Sequence, residues 1–304
     1  MTEPIRVDSH IHVYRSAAEG AAAKEGYQIW EYGRQEAVAL SRLAGTVAEV
    51  LGAMQQARIA RSVIVNLYPT LEMRGHHTKA GLPKSEIEVR LRDEFKAYNR
   101  WACDVAREHP TISTFVGMDV GLFSPAENVA HLREMVDAGA TGVKLHGPAQ
   151  GFSMADDRLW PVYGACQEMG LPIVAHSGPD TAGKGFSEPR MFGAALKAYP
   201  KLTIVLAHMG GATWQQAREV GATYANACFD VCEIIEWHKS EKGPDDAEMA
   251  RLIKDIGPSR VLMGSDYPWY DLDHTVERVM ALPLLSAEEK AGIVGANAMR
   301  VLKL

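Results

Sequence analysis

The sequence predicts an α/β protein, a (β/α)8 TIM barrel with long βα loops and a metal site at the C-terminal face of its strands. Three observations point there. Short apolar runs recur along the chain and alternate with helical patterns. Four of those runs stop at a histidine or an aspartate. The chain has 304 residues, enough for one barrel domain over residues 1–304, since such a barrel takes about 250 residues plus its insertions.

The first strand ends in Val7-Asp8-Ser9-His10-Ile11-His12. Alternate residues of a strand share a face, so His10 and His12 converge, which suits a divalent transition metal. The loop that follows carries Tyr14, Arg15, Tyr27, Trp30, Tyr32 and Arg34, and the Ala17 to Ala23 stretch reads as loop or helical insertion. Strand two covers Arg61 to Leu67, and the segment from Tyr68 to Lys84, with Arg74, His76 and His77, reads as a solvated loop. Strands three and four are Ile112 to Asp119 and Thr141 to His146. Strand five ends at His176, and strand six ends at His208 before Gly210-Gly211. Strand seven is Tyr224 to Asp230, and strand eight ends at Asp266 before Tyr267-Pro268.

Helical patterns begin at Pro125 and run through Leu132, Met135 and Val136, and cover Leu159 to Glu168, Met191 to Ala198, Ala247 to Ile256 and Val276 to Leu282. Continuous apolar strands are what a parallel sheet covered on both faces requires, and strand–helix alternation implies βαβ units. An open doubly wound sheet would bring one or two strand ends to a shared site. A closed barrel lets all four ligand-type ends meet.

Composition bounds the function. The chain is 47% hydrophobic and 23% charged, with a net charge of −6. Nothing in that balance points to nucleic acid or a membrane surface. No apolar run is long enough to span a bilayer, and no secretory leader pattern is visible. Cys103, Cys166, Cys228 and Cys232 form no CxxC or disulfide framework, so free thiols in a reducing cytoplasm are expected. Gly178 to Gly185 imitates a phosphate-binding loop, but Gly185 stands where a hydroxyl should meet Mg²⁺. That loop reads instead as a lid over the metal site, with Asp180, Lys184 and Arg190 as substrate contacts.

VDSHIH at 7–12, GVKLHG at 142–147, IVAHSG at 173–178, IVLAHMGG at 204–211 and GSDYPW at 264–269 resemble the amidohydrolase-related group of the amidohydrolase superfamily. That group includes metal-dependent hydrolases, lactonases and decarboxylases similar to aminocarboxymuconate-semialdehyde decarboxylase. The resemblance implies that His10, His12, His176 and Asp266 hold one divalent metal, zinc first and manganese as a substitute. It implies that His208 is catalytic beside the metal, and that Asp266 doubles as general base for a metal-activated water. In binuclear members a carboxylated lysine bridges two metals, and Lys144 stands where that lysine would. His146 two residues on favours the one-metal pattern. The plainer reading of Lys144 is a buried lysine paired with Asp119 or Asp230.

The first functional expectation is a hydrolase opening a lactone, amide or similar bond in a small, ring-derived carboxylate. The alternative is a non-oxidative decarboxylase of an aromatic or muconate-type acid. A barrel that only binds ligand is third, and loss of a metal ligand, its usual mark, is not seen. Aromatics (Tyr14, Trp30, Tyr267, Trp269) and cations (Arg15, Lys184, Arg190) in the mouth loops suit a flat anionic substrate. Arg190, Trp269 and Lys184 are the candidate substrate contacts. The sequence implies a small-molecule substrate and leaves a homo-oligomer open.

Overall fold

Short runs of β-branched and aliphatic residues form eight strands, almost every residue of which is buried. They are β1 (Val7–Ile11), β2 (Arg61–Ile64), β3 (Ile112–Gly117), β4 (Gly142–Leu145), β5 (Ile173–Ala175), β6 (Ile204–Leu206), β7 (Ala227–Asp230) and β8 (Val261–Leu262). All pair parallel in chain order. The computed structural model describes residues 4–26, 32–33, 38, 40–180 and 183–304. Tyr27, Trp30 and Arg34 of the first loop lie outside the described residues. No described helix is long and apolar enough to cross a membrane.

The inner face of the sheet is a packed lumen. Val7, Val63, Phe115, Val174, Val205, Cys228 and Leu262 meet there, with Ala298, Val301 and Leu302 from the end of the chain. Full burial of such an aliphatic side chain is worth roughly 1.5–3 kcal/mol. Gly142 pairs with Phe115 in the ladder, and a Cβ on it would lie 2.5 Å from the Phe115 ring. The outer face packs on the helices, with Ile11, Ile64, Val143 and Ile204 against Leu132, Val162 and Ile253.

Val7 belongs to the lumen and Ile11 to the outer layer, although residues four apart on a regular strand share a face. The register of β1 on β2 shifts between Asp8 and Ile11. That irregularity switches the facing of the strand. It lets an apolar Val7 plug the lumen while His10 and His12, on the other parity, turn inward.

The barrel closes where β8 meets β1, without a regular ladder. Ser9 N–H donates to the Met263 carbonyl at 2.9 Å, Asp266 N–H to the His10 carbonyl at 2.9 Å, and His12 N–H to the Tyr267 carbonyl at 2.6 Å. Asp8, fully buried, accepts from Ser265 Oγ at 2.5 Å, Ser265 N–H at 3.0 Å and His10 N–H at 3.1 Å.

Four early helices shape the mouth. α1 (Ala17–Gly26) occupies the alanine-rich stretch, and α2 (Val47–Ala57) starts at a Thr46–Glu49 capping box. α3 (Thr70–Lys79) corrects the expected solvated loop: His77 Nε2 lies 3.1 Å from Glu94, while His76 is 58% exposed. α4 (Lys84–Glu108) is a 25-residue helix absent from the sequence reading. Its buried stripe of Ile87, Leu91, Phe95, Tyr98 and Ala102 recurs every three to four residues, as an amphipathic helix requires. The intervening Lys, Arg and Glu dilute that stripe.

Ser265→Ala removes two of the contacts that gather at the seam and leaves the Asp8 carboxyl short of a buried donor. A loss of about 1–3 kcal/mol is expected, measured by urea denaturation of the metal-free protein. A loss under about 0.5 kcal/mol, the level of an ordinary surface change, would show that the seam does not depend on this pair.

Candidate active site

The two histidines that leave β1 are set by what lies behind them. His10 Nδ1 is 2.9 Å from Asp230 Oδ2, at the end of β7. A neutral imidazole carries one N–H, so this contact puts the hydrogen on Nδ1 and leaves Nε2 as the lone pair facing the site. Gly264 makes the approach of β8 possible, since a Cβ there would lie 2.6 Å from the His10 Cβ. Around His10 Nε2 stand Lys144 Nζ at 3.2 Å and Asp266 Oδ1 at 3.4 Å. His12 Nε2 lies 3.2 Å from the same Asp266 oxygen. His10, His12 and Asp266 therefore offer three donor atoms within 4.8 Å of one another.

His208 follows β6, and its ring centroid is 5.3 Å from that of His10 and 4.9 Å from that of His176. His176 faces the same end of the barrel but stacks on His146 at 4.1 Å and stands outside the three-donor cluster. His146 Nδ1 accepts the Ala149 N–H at 3.2 Å, which spends that nitrogen on the start of the next helix. Lys144 pairs with neither expected carboxylate. Asp119 accepts Thr70 Oγ1 at 2.6 Å and two backbone N–H groups, and Asp230 is taken by His10 and the His208 N–H.

Burial decides most of the protonation states. It pushes His10, His12, His146 and His176 below the usual histidine range, and His208 down to about 4. Burial also lowers the Lys144 amine. Burial alone would raise Asp230 and Asp266. Burial is the largest single effect at both, but the contacts with His10, His208 and Cys232 together hold Asp230 at about 2, and the hydrogen bond with His12 together with the neighbouring His10 and His208 holds Asp266 well below the carboxylate range. Neutral imidazoles beside an ionised carboxylate are the donor set that a divalent ion of the zinc or manganese type requires.

Three of these residues sit at positive φ: His208, Glu233 and Asp266, each near 60°. Non-glycine residues pay of order 1–3 kcal/mol for such backbone, and it concentrates at functional sites. Glu233, buried with Cys232 just after β7, was not singled out by sequence reasoning. Cys232 was read only as a free thiol and Asp230 only as a lysine partner. The signal available for Asp230 was the one used for Asp266, a carboxylate ending an apolar strand.

A cavity of about 770 Å³ is lined by His12 and Trp269, by Tyr14, Tyr98 and Arg15, and by the carboxylates Glu19, Glu25, Glu72 and Glu94. Trp269 meets the His12 ring edge-on at 5.1 Å. The Arg15 guanidinium lies over the rings of Tyr98 and Trp101 at 5.4 and 5.5 Å. Of the expected substrate contacts, Trp269 is in this cavity and the two cations are not. Arg190 is 61% exposed and bound to Glu219 at 2.7 Å. Lys184 is exposed and lies over Phe186 at 5.4 Å, while Asp180 accepts the Lys184 and Phe186 N–H groups.

The family model described as amidohydrolase matches residues 7–304. The chain belongs to the amidohydrolase family. Within it, 239 residues are 21% identical to 2-amino-3-carboxymuconate-6-semialdehyde decarboxylase of Dictyostelium discoideum, covering 68% of this chain and 65% of that protein, under two thirds of its length. Among solved structures, a dihydroxybenzoic acid decarboxylase from Polaromonas, with bound manganese and the inhibitor 2-nitroresorcinol, shares the fold. Its TM-score is 0.69 at 15% identity, covering 100% of this chain and 98% of that one. 5-Carboxyvanillate decarboxylase from Sphingomonas paucimobilis has a TM-score of 0.67 at 15% identity, with both chains covered completely.

The amidohydrolase site carries a pH signature. A buried histidine with a lowered folded value binds fewer protons than its unfolded counterpart between that value and about 6.5, so its stabilisation fades as pH falls through the window. His10, His12, His146, His176 and His208 all act this way, His208 down to about 4. Asp8 opposes them: burial raises it to about 7, so its contribution fades as pH rises from about 4 to about 7. His131 and His238 are lowered as well, while Asp119 and His274 are raised and side with Asp8; with seven groups against three, the melting temperature of the chelated protein should fall from pH 6.5 to pH 4.5. A flat or rising profile would contradict these assignments.

Proposed function

We propose that this amidohydrolase-family enzyme removes CO2, without an oxidant, from a small aromatic or ring-derived carboxylic acid. The observation that carries the reading is the cavity. Its lining joins Tyr98 and Arg15 to Trp269 and to His12 of the donor cluster, with Glu19, Glu25, Glu72 and Glu94 on the same walls. A flat acid gains ring contact there, and its carboxylate needs the charge of Arg15 and of a bound metal to offset those four. The three relatives named above are all called decarboxylases, which supports this reading over the hydrolysis expected first from the sequence.

In this reading His10, His12 and Asp266 hold the metal, with His176 as the fourth ligand. Zinc or manganese fits the donors, and the Polaromonas structure was solved with manganese. When bound, the ion supplies positive charge that fixes and polarises an oxygen of the substrate. The chain's own residues do the rest. Asp230 keeps the lone pair of His10 turned inward. Trp269 packs beside His12 and limits water around the ring. The reaction breaks the bond between ring carbon and carboxylate, releases CO2 and leaves a proton on that carbon. In this reading His208, neutral at pH 7, takes the acidic proton of the substrate at Nε2 and gives it to the ring carbon as CO2 leaves.

The test is a panel of hydroxybenzoates and muconate-type acids assayed for CO2 release, beside matching lactones and amides assayed for hydrolysis. Turnover of at least one acid is expected, with His208→Ala losing about 10²–10⁴-fold while keeping its metal. Arg15→Met should raise KM for the acid by about tenfold or more, the worth of one charge-assisted hydrogen bond. Hydrolysis of a lactone or amide with no CO2 from any acid would overturn the decarboxylase reading.

A further inference from the structure

The mechanism above leaves unused the segment just after β7. Glu233 has φ 60° and ψ −63°, and the Ile234 N–H reaches back over it to the Cys232 carbonyl at 2.6 Å. This is a γ-turn of the positive-φ kind, rare and strained for any residue with a Cβ. The strained residue is also a carboxylate only 6% exposed. Its Oε2 lies 3.3 Å from His208 Nδ1. The same nitrogen faces the Cys232 carbonyl at 3.3 Å and the Cys232 sulfur at 3.0 Å. Two of the three groups facing this nitrogen, the Glu233 carboxylate and the Cys232 carbonyl, can only accept, so it is the nitrogen that carries the hydrogen. His208 itself is held at φ 60° by its backbone, and its N–H is bound to Asp230 at 2.8 Å.

We infer that Glu233 is a positioning residue: the strained turn after β7 aims its carboxylate at His208 Nδ1, fixes the Nδ1–H tautomer, and leaves Nε2 as the nitrogen that exchanges a proton with substrate. The consequence for turnover rests on reading His208 as the proton carrier; the tautomer does not. A residue kept only to shape the turn would be replaced without loss by glycine, which adopts this backbone freely.

The experiment uses zinc-loaded protein with ¹⁵N-labelled histidines, read by long-range proton–nitrogen correlation, with His208 assigned from its absence in His208→Gln. The wild type should show a single Nδ1–H tautomer at His208. In Glu233→Gly and in Glu233→Met, which keeps the side-chain length without a strong acceptor, that pattern should shift towards the Nε2–H form, and Glu233→Gly should melt at or above the wild type because the turn is relaxed. If Glu233→Gly fails to fold, Glu233→Met decides by the same spectrum. An unchanged Nδ1–H pattern in the folded variants overturns the proposal, whatever the substrate proves to be. With an acid that the enzyme turns over, both variants should lose about 10–100-fold in kcat with KM within about threefold, the mark of an interaction used after binding. Wild-type kcat in both overturns it equally.

Discussion

The closure of β8 on β1 is the constraint on which the rest of this structure depends. Asp8 and Ser265 are 257 residues apart in sequence and 2.5 Å apart in space. The Asp266 N–H and His10 carbonyl meet just beyond them, one residue after Ser265 and two after Asp8. Without that seam His10 and Asp266 would belong to opposite edges of an open sheet. With it, ligand-type residues from the first and last strands share one point, and the strands between them deliver His176, His208 and Asp230 around the same rim. Gly264 serves the same end, because any larger residue would push β8 off His10. The seam thus converts a chain-order sheet into a site.

The cost of that site is visible in the backbone and in the buried charges. Positive-φ residues follow β6, β7 and β8, and three of them, His208, Glu233 and Asp266, carry an imidazole or a carboxylate. Three ionisable networks are packed where a barrel rim could have been apolar: Asp8 with Ser265, Asp230 with His10 and His208, and Asp266 with His12. Buried polar groups of this density are tolerable only when each has a partner. The cavity opens to one side of this rim, over the loops that follow β1 and β2 and the helices α1, α3 and α4. That asymmetry sets the cavity on one half of the barrel mouth and His208, which is not among its lining residues, apart from it.

Much of this was legible in the sequence, because strands covered on both faces announce themselves as apolar runs and their last residues are easily read. His10, His12, His176, His208 and Asp266 stand out that way, and the fold brings all five to one end of the barrel. What was not legible depends on partners distant in sequence. The register shift in β1 cannot be seen in Val7-Asp8-Ser9-His10, since it is defined by pairing with β2. α4 was hidden because its apolar stripe is diluted by charge, and only its packing shows that Tyr98 reaches the cavity. Arg190 and Arg15 look alike as arginines in loops. The fold gives Arg190 to Glu219 on the surface and Arg15 to the cavity. Glu233 follows a strand as an ordinary acidic residue in the sequence, and only its positive φ and its approach to His208 set it apart.

The most direct test of the account is the position of the metal. Crystals of the zinc-loaded protein, measured on either side of the zinc absorption edge, should show one anomalous peak per chain. It should lie about 2.0–2.2 Å from nitrogens of His10 and His12 and from an Asp266 oxygen, with His176 completing the set. A peak held instead by His10, His208 and Cys232, or two peaks bridged through Lys144, would contradict it.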